Sequence, residues 1–456
     1  MSFSPLDSDL LGPLFTTEAM RDCFTDRSWI ASMLAVEAAL AHSESRLGLA
    51  PDALGLAIEA IRPDDLDIPS IGVQAGIAGV PTIPFVKAVQ SRLSAELERS
   101  FHKGATTQDI MDTALVLRMR DALDLVAADV DVIIQGLSRL ADAHRGTPCV
   151  GRSYGQHAAP VSFGYKAAVW LSGIADVAGR LPDLRTHVLV VSFGGPVGTL
   201  ASLGDAGPLV LEGLAAELGL GVTPLCWHTN RGRIAETGTW LVRLIGALAK
   251  MATDVLHLAS TEVAEVAEPH IPGRGGSSAM PHKRNPVAST VILACHATAS
   301  PHAATLFGAM AAAHERPAGP WHAEWNALPL LFGFASGALR EARTLAEGLT
   351  VDAERMRANI DLTRGLLFAD AAAGRLGAKL GREAAHRLVE QAAETVRRTG
   401  AMLPDVLSQE PAVRDCGVDL APAFDLAPAV AAAAWWVDPA LHQAAAVRER
   451  LSANRS

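Results

Sequence analysis

Apolar positions recur at helical spacing along most of the chain. Between Asp112 and Ala143 there is no proline, and Leu115, Met119, Ala122, Val126, Val130, Ile133, Leu137 and Leu140 form one continuous stripe. From Arg233 to Glu268 the stripe is Ile234, Leu241, Leu244, Leu248, Met251, Val255 and Leu258, and Pro269 ends it. A further helix is predicted from Pro160 to Leu181, closed by Pro182, and another after Asn285. Helices of some thirty residues reach about 45 Å, so the pattern predicts an elongated bundle.

No charged residue occurs between Asn285 and His314, a length that would suit a membrane span. The run carries Ser289, Thr290, His296, Ser300, Pro301 and His302, however. A buried bundle helix kinked at Pro301 is the better reading. The first hundred residues predict short helices broken by Gly and Pro, as at Gly79-Val80-Pro81-Thr82-Ile83-Pro84. Beyond Leu349 come shorter amphipathic segments from Asp352 and near Glu383, then a tail rich in Pro and Ala. These changes divide the chain into an N-terminal helical domain (1–111), a central long-helix domain (112–349) and a C-terminal helical domain (350–456).

Composition reinforces an all-α fold. Ala dominates the apolar fraction, only two Tyr and 12 Phe occur, and β-branched runs are few. The balance of 39 Lys and Arg against 49 Asp and Glu gives a net charge of -10 without a basic block, which argues against a nucleic-acid partner. Five cysteines without CxxC spacing (Cys23, Cys149, Cys226, Cys295, Cys416) suit a reducing compartment. The polar, acidic N-terminus does not read as a signal peptide, so a cytoplasmic location is expected.

The densest chemistry lies in Gly275-Gly276-Ser277-Ser278-Ala279-Met280-Pro281-His282-Lys283-Arg284-Asn285-Pro286. Two glycines supply a pliable loop, two hydroxyls a latent acid/base, and Lys283 and Asn285 a cation and an amide suited to an anion. The order differs from a phosphate-binding GxxxxGK[ST] loop. Taken alone, the same residues could equally be a capping turn ahead of a helix.

This segment closely resembles the signature loop of the fumarase, aspartase, argininosuccinate lyase and adenylosuccinate lyase superfamily. Two more segments resemble its other shared regions in the expected order: His102-Lys103-Gly104-Ala105-Thr106-Thr107-Gln108-Asp109 and Gly151-Arg152-Ser153-Tyr154-Gly155-Gln156-His157-Ala158. The resemblance spans essentially the whole chain. It implies the three-domain fumarase/aspartase-like fold and a homotetramer with a central twenty-helix core, each active site being built by three subunits. It further implies that Ser277 is the carbon acid/base, that Lys283 and Asn285 hold a substrate carboxylate, and that Thr106 and Thr107 bind carboxylate oxygens. No cofactor is expected.

One position departs from the common pattern. Superfamily members that release an amine or hydroxide carry a histidine in the second motif, where this chain has Tyr154. Amines and hydroxide are poor leaving groups that need a general acid, whereas a carboxylate, with a pKa near 4, needs none. Keeping the carbon acid/base while losing the leaving-group acid suits a carboxylate nucleophile or leaving group. That is the chemistry of the lactonizing cycloisomerase branch of aromatic catabolism. Trp227-His228-Thr229, Arg231, Arg233, His314-Glu315-Arg316 and Trp321-His322-Ala323-Glu324-Trp325 resemble that branch too, although its members usually have Trp where Tyr154 stands.

A small polycarboxylate is therefore the expected substrate. Arg152, Lys283 and Arg316 would pair with it, with His102 and Arg233 in reserve, and Ser153, Tyr154, His157, Ser278 and Met280 would line the pocket. Arg152 and Arg233 read equally well as partners in structural ion pairs. The His- and Glu-rich stretch from His314 to Glu324 lacks metal-ligand spacing, so no metal is expected. Two other readings stay open: a lyase releasing fumarate from a succinyl adduct, and a non-catalytic helical scaffold.

Overall fold

A computed structural model describes residues 4–276, 279–280 and 282–453. Its framework is five helices that pack side by side: α1 (Asp26–Arg46), α2 (Thr107–Ala143), α3 (Phe163–Ala178), α4 (Gly232–Leu258) and α5 (Val287–Ala309). A sixth, α6 (Pro320–Gly348), packs against α2, α4 and α5. The predicted stripe of α2 is buried from Leu115 to Leu137, and its apolar side chains join those of α4 to α6 in the main core. α5 runs unbroken through Pro301, and among the described residues no helix is long and apolar enough to cross a membrane.

Two local features differ from the periodicity. The helix expected to reach Glu268 stops at Leu258 because the chain reverses through Ala264, whose φ is 51°, and the Glu265 N–H bonds back to the Leu258 carbonyl. This reversal turns Glu265 inward, where it is wholly buried. The second departure precedes α3. Strands β1 (Pro148–Ser153) and β2 (Gln156–Ser162) form an antiparallel hairpin, with Arg152 opposite His157 and Ser153 opposite Gln156. Its two-residue turn, Tyr154-Gly155, has positive φ at both positions (51° and 76°), as the tight hairpin turn that follows strand twist demands. Pro182 sits inside the first turn of the helix Leu181–Val188, so it starts a helix as well as following one.

A second, smaller core gathers Ala372, Leu376, Ala385, Val389, Leu403 and neighbours in the C-terminal part. The last helix, α7 (Val437–Ala453), returns from there and buries Val437, Ala444 and Leu451 in the main core beside α2 and α3.

The directions of the long helices decide where chemistry can occur. Arg231, just ahead of α4, grips Asp112 in the first turns of α2, so both helices start at one pole. α5 leads back to that pole, where Arg316 meets Thr106. α6 then departs from it, since the Trp321 indole donates to Asp112 at its start and Asp352, beyond its end, bonds the Glu265 carbonyl. With 37 residues, α2 alone separates the two poles by about 55 Å.

Candidate active site

The first pole is built on the start of α2. Thr106 caps the helix in a reciprocal box with Asp109, whose carboxylate accepts the Thr106 N–H at 2.9 Å. Both oxygens of Asp109 are also engaged by the N–H groups of Gly194 and Gly195, each at 2.9 Å. The Thr106 hydroxyl accepts a 2.6 Å hydrogen bond from Arg316. Thr107 begins the helix and its carbonyl accepts from the Thr82 hydroxyl.

His102 stands four residues upstream with a left-handed backbone (φ 59°), its Nδ1 held 2.6 Å from the buried Glu37 carboxylate. Burial works against the charged ring, but Glu37 outweighs it and raises the His102 pKa. The imidazolium is thereby favoured, and with it a cation beside Thr106. Arg233 also lies at this pole, donating to the His187 carbonyl at 3.1 Å, and burial lowers its pKa.

A dense buried network braces this pole. Arg231, enclosed under the Trp227 ring, donates to Asp112 at 2.7 Å and to Glu324 at 3.0 Å. His228 lies 2.6 Å from Asp109. Burial opposes its protonation, yet the hydrogen bond to Asp109 and the charge of that carboxylate prevail and lift its pKa to about 9. The sequence reading associated Arg231 and His228 with the branch but gave neither a role. Their brace with Asp109 and Asp112 links residues more than a hundred positions apart, which local patterning does not reveal.

The second pole carries the hairpin and the glycine loop. Arg152 makes a two-pronged pair with Glu265 (2.6 and 3.1 Å), and Asn359 donates to the same carboxylate at 2.8 Å. Ser153 and Tyr154 project from the turn, and Tyr154 is fully exposed. His157 faces Arg152 across the ladder; burial first, and Arg152 second, lower its pKa, which favours the neutral ring. The loop closes on itself through a bridge between Gly276 and Arg284 and through the Asn285 N–H, which bonds the Gly275 carbonyl at 2.8 Å. Gly275 has φ 67°, and a Cβ there would sit 2.6 Å from the Asn285 carbonyl oxygen, so only glycine fits.

Lys283 and Asn285 are exposed, and the Lys283 N–H bonds the Met280 carbonyl. Ser277 and Ser278 lie outside the described residues. Glu268, which the sequence reading did not single out, anchors the loop's exit: it accepts from the N–H groups of Ala288 and Ser289 and from the Ser289 hydroxyl. A carboxylate at the start of a helix is stabilised by the helix dipole. Glu268, Arg284 and Asn285 line a cavity of about 130 Å³, and a larger one of about 510 Å³ opens beside Arg152, Gly155 and Lys166.

The chain therefore carries two separate candidate clusters, each of which could serve as a half-site. One offers Thr106, Thr107, His102 and Arg316; the other offers the hairpin and the glycine loop. Together they hold what an anionic substrate needs, namely cations, hydroxyls and amide donors. The span of α2 keeps them from meeting within one chain.

A family model described as lyase matches residues 16–298, and the chain belongs to that lyase family. Its helical architecture is the fumarase/aspartase-like fold. The chain is 44% identical over 407 residues to the 3-carboxy-cis,cis-muconate cycloisomerase of Bradyrhizobium diazoefficiens, covering 88% of this chain and 90% of that one. It is 41% identical to the nitrosuccinate lyase of Streptomyces davaonensis, covering 90% and 88%. The crystal structure of the 3-carboxy-cis,cis-muconate lactonizing enzyme from Pseudomonas putida superposes with a TM-score of 0.91 at 42% identity, covering 96% of this chain and all of that one.

Proposed function

We propose that the chain is a cycloisomerase that interconverts 3-carboxy-cis,cis-muconate and a carboxymuconolactone, in the protocatechuate (β-ketoadipate) route of aromatic breakdown. The observation that carries the reading is the second motif. Position 154 holds a solvent-facing phenol instead of an imidazole, and burial favours the neutral form of the nearby His157 ring. A carboxylate nucleophile needs no proton donor on its own side, so this arrangement suits lactone formation.

In the proposed reaction a substrate carboxylate oxygen attacks an alkene carbon and the C–O bond forms. The π pair moves to the adjacent carbon and into its carboxylate, which Lys283 and Asn285 stabilise as the aci-form. Ser277 delivers a proton to that carbon and regains one from solvent. The nucleophile is already ionised, so orientation and fixed positive charge supply most of the acceleration. Thr106, Thr107, Arg316 and the His102 cation hold the remaining carboxylates.

The distance between the half-sites supports a homotetramer in which Thr106 and Ser277 of one working site come from different subunits. The likeness to a nitrosuccinate lyase favours a second reading, release of a weakly basic group from a succinate adduct, which also needs little acid assistance. Purified protein assayed by absorbance with 3-carboxymuconate, nitrosuccinate, adenylosuccinate and argininosuccinate separates the two. Turnover of 3-carboxymuconate alone, or by a wide margin, is the expected result; preference for any succinate adduct overturns the first reading.

A further inference from the structure

The loop Leu225–Arg231 is fastened on both flanks. The Trp227 indole donates to the Val191 carbonyl at 2.9 Å, and the His228 carbonyl accepts from the Gln108 side chain at 2.8 Å. Cys226 and His228, two residues apart, consequently share a fixed geometry. The Cys226 sulfur, a ring nitrogen of His228 and a carboxylate oxygen of Asp109 all lie within 4.8 Å of one another. His228 is only 2% exposed; its Nε2 engages Asp109, while its buried Nδ1 has no hydrogen-bond partner among the described residues. Cys226 is partly exposed, which opens a path from solvent.

We infer that Cys226 and His228 form a site for a soft divalent cation of the zinc class, coupled to the first half-site through Asp109. Thiolate and imidazole are the donors such ions prefer, and water completes the shell. The arrangement also has the partner that zinc-binding histidines usually have, a carboxylate on the second ring nitrogen that fixes the ring. The cation replaces the thiol proton and any proton on Nδ1, both of which pass to solvent, and the Nε2–H bond to Asp109 remains.

The consequence for activity follows from what Asp109 holds. The same carboxylate fixes the Thr106 cap and the N–H groups of Gly194 and Gly195. Gly194 is pressed against the thiol so closely that a Cβ there would come within 2.4 Å of the Cys226 sulfur. A cation on Cys226 must push against that segment and draw on His228, so it disturbs Thr106 without touching substrate. The site is inhibitory, not a resident cofactor site.

Cobalt(II) titration of the full-length protein tests this, because a cobalt–thiolate bond gives a near-ultraviolet charge-transfer band. One equivalent should generate the band in the native protein and in Cys23→Ala and Cys416→Ala, and zinc should displace it. Cys226→Ala should lose the band and weaken cobalt binding by at least ~100-fold, the scale expected when a ligand and not merely its support is removed. Zinc should lower native turnover by at least tenfold, reversed by EDTA, and leave Cys226→Ala turnover unaffected. No band in the native protein, or a band that survives in Cys226→Ala, overturns the site. A band without inhibition overturns its coupling to Thr106.

Discussion

Arg316 donates to the hydroxyl of Thr106 across 2.6 Å, joining residues 210 positions apart at the start of the longest helix. The contact orients a guanidinium beside the helix N-terminus, where it adds to the positive charge favoured on His102. Arg316→Met should raise KM for the polycarboxylate by about 10- to 100-fold, the scale of a charged hydrogen bond of about 1.5–3 kcal/mol. Thr106→Val should cost less, and the double variant should fall short of the sum, because the two residues share one interaction. Steady-state kinetics on all three variants checks this, and strict additivity would contradict it.

Removing the proposed proton-transfer group should give a different signature. Ser277→Ala should retain the native circular dichroism spectrum and lose at least about a hundredfold in kcat. Ser278→Ala should act mainly on KM. Near-normal kcat in Ser277→Ala would remove that serine from the mechanism.

Complementation examines the proposed sharing of the site between subunits. Inactive Ser277→Ala protein mixed and reassembled with inactive Thr106→Val/Thr107→Val protein should regain part of the native activity. Some mixed sites would then draw both intact halves from different subunits. Failure to recover any activity, with mixed assemblies verified by mass, would locate the whole site within one chain.

Tyr154 separates two chemical roles. As a wall of the pocket that contributes one hydrogen bond, it should tolerate replacement by Phe with turnover within about tenfold. Loss of kcat with unchanged substrate binding would make the phenol an essential acid.

Stability should also carry a pH signature. Glu44 is buried beside Glu37, and burial first, with Glu37 adding, pushes its pKa up to about 8 although Lys103 and His102 act the other way. The native state thus holds a proton that the unfolded chain, with a carboxyl near 4.3, has released. That contribution is fully present below pH 4, declines as pH rises, and is lost above about 8. Glu44→Gln should therefore raise the melting temperature at pH 8.5 far more than at pH 5. An equal shift at both values would show that Glu44 does not titrate in this way.

Long-range placement was the part of this molecule hardest to read from the sequence. The stripes of α2 and α4 were legible because a helix that buries one face must repeat apolar residues on that face. The hairpin at 148–162 was not, since its strands are short and His157 and Gln156 break the alternation expected of a sheet. The early end of α4 escaped for a related reason: the reversal through Ala264 leads Glu265 to Arg152, a tertiary contact without a local signal. Motif order brought the candidate residues of both clusters into view, yet the commitment of Arg152 to Glu265 and of Asp109 to Gly194, Gly195 and His228 depends on folding. Glu268 was hidden likewise, because it caps a helix that begins some twenty residues later.

The length of α2 has a consequence for how the protein behaves when scarce. A rod of about 55 Å holds the two candidate clusters of a chain apart. If the proposed shared site holds, a solitary chain would be folded and idle, so specific activity should fall on dilution while helicity stays constant. Output would then follow a power of protein concentration greater than one, giving the cell a threshold of synthesis below which the substrate simply accumulates.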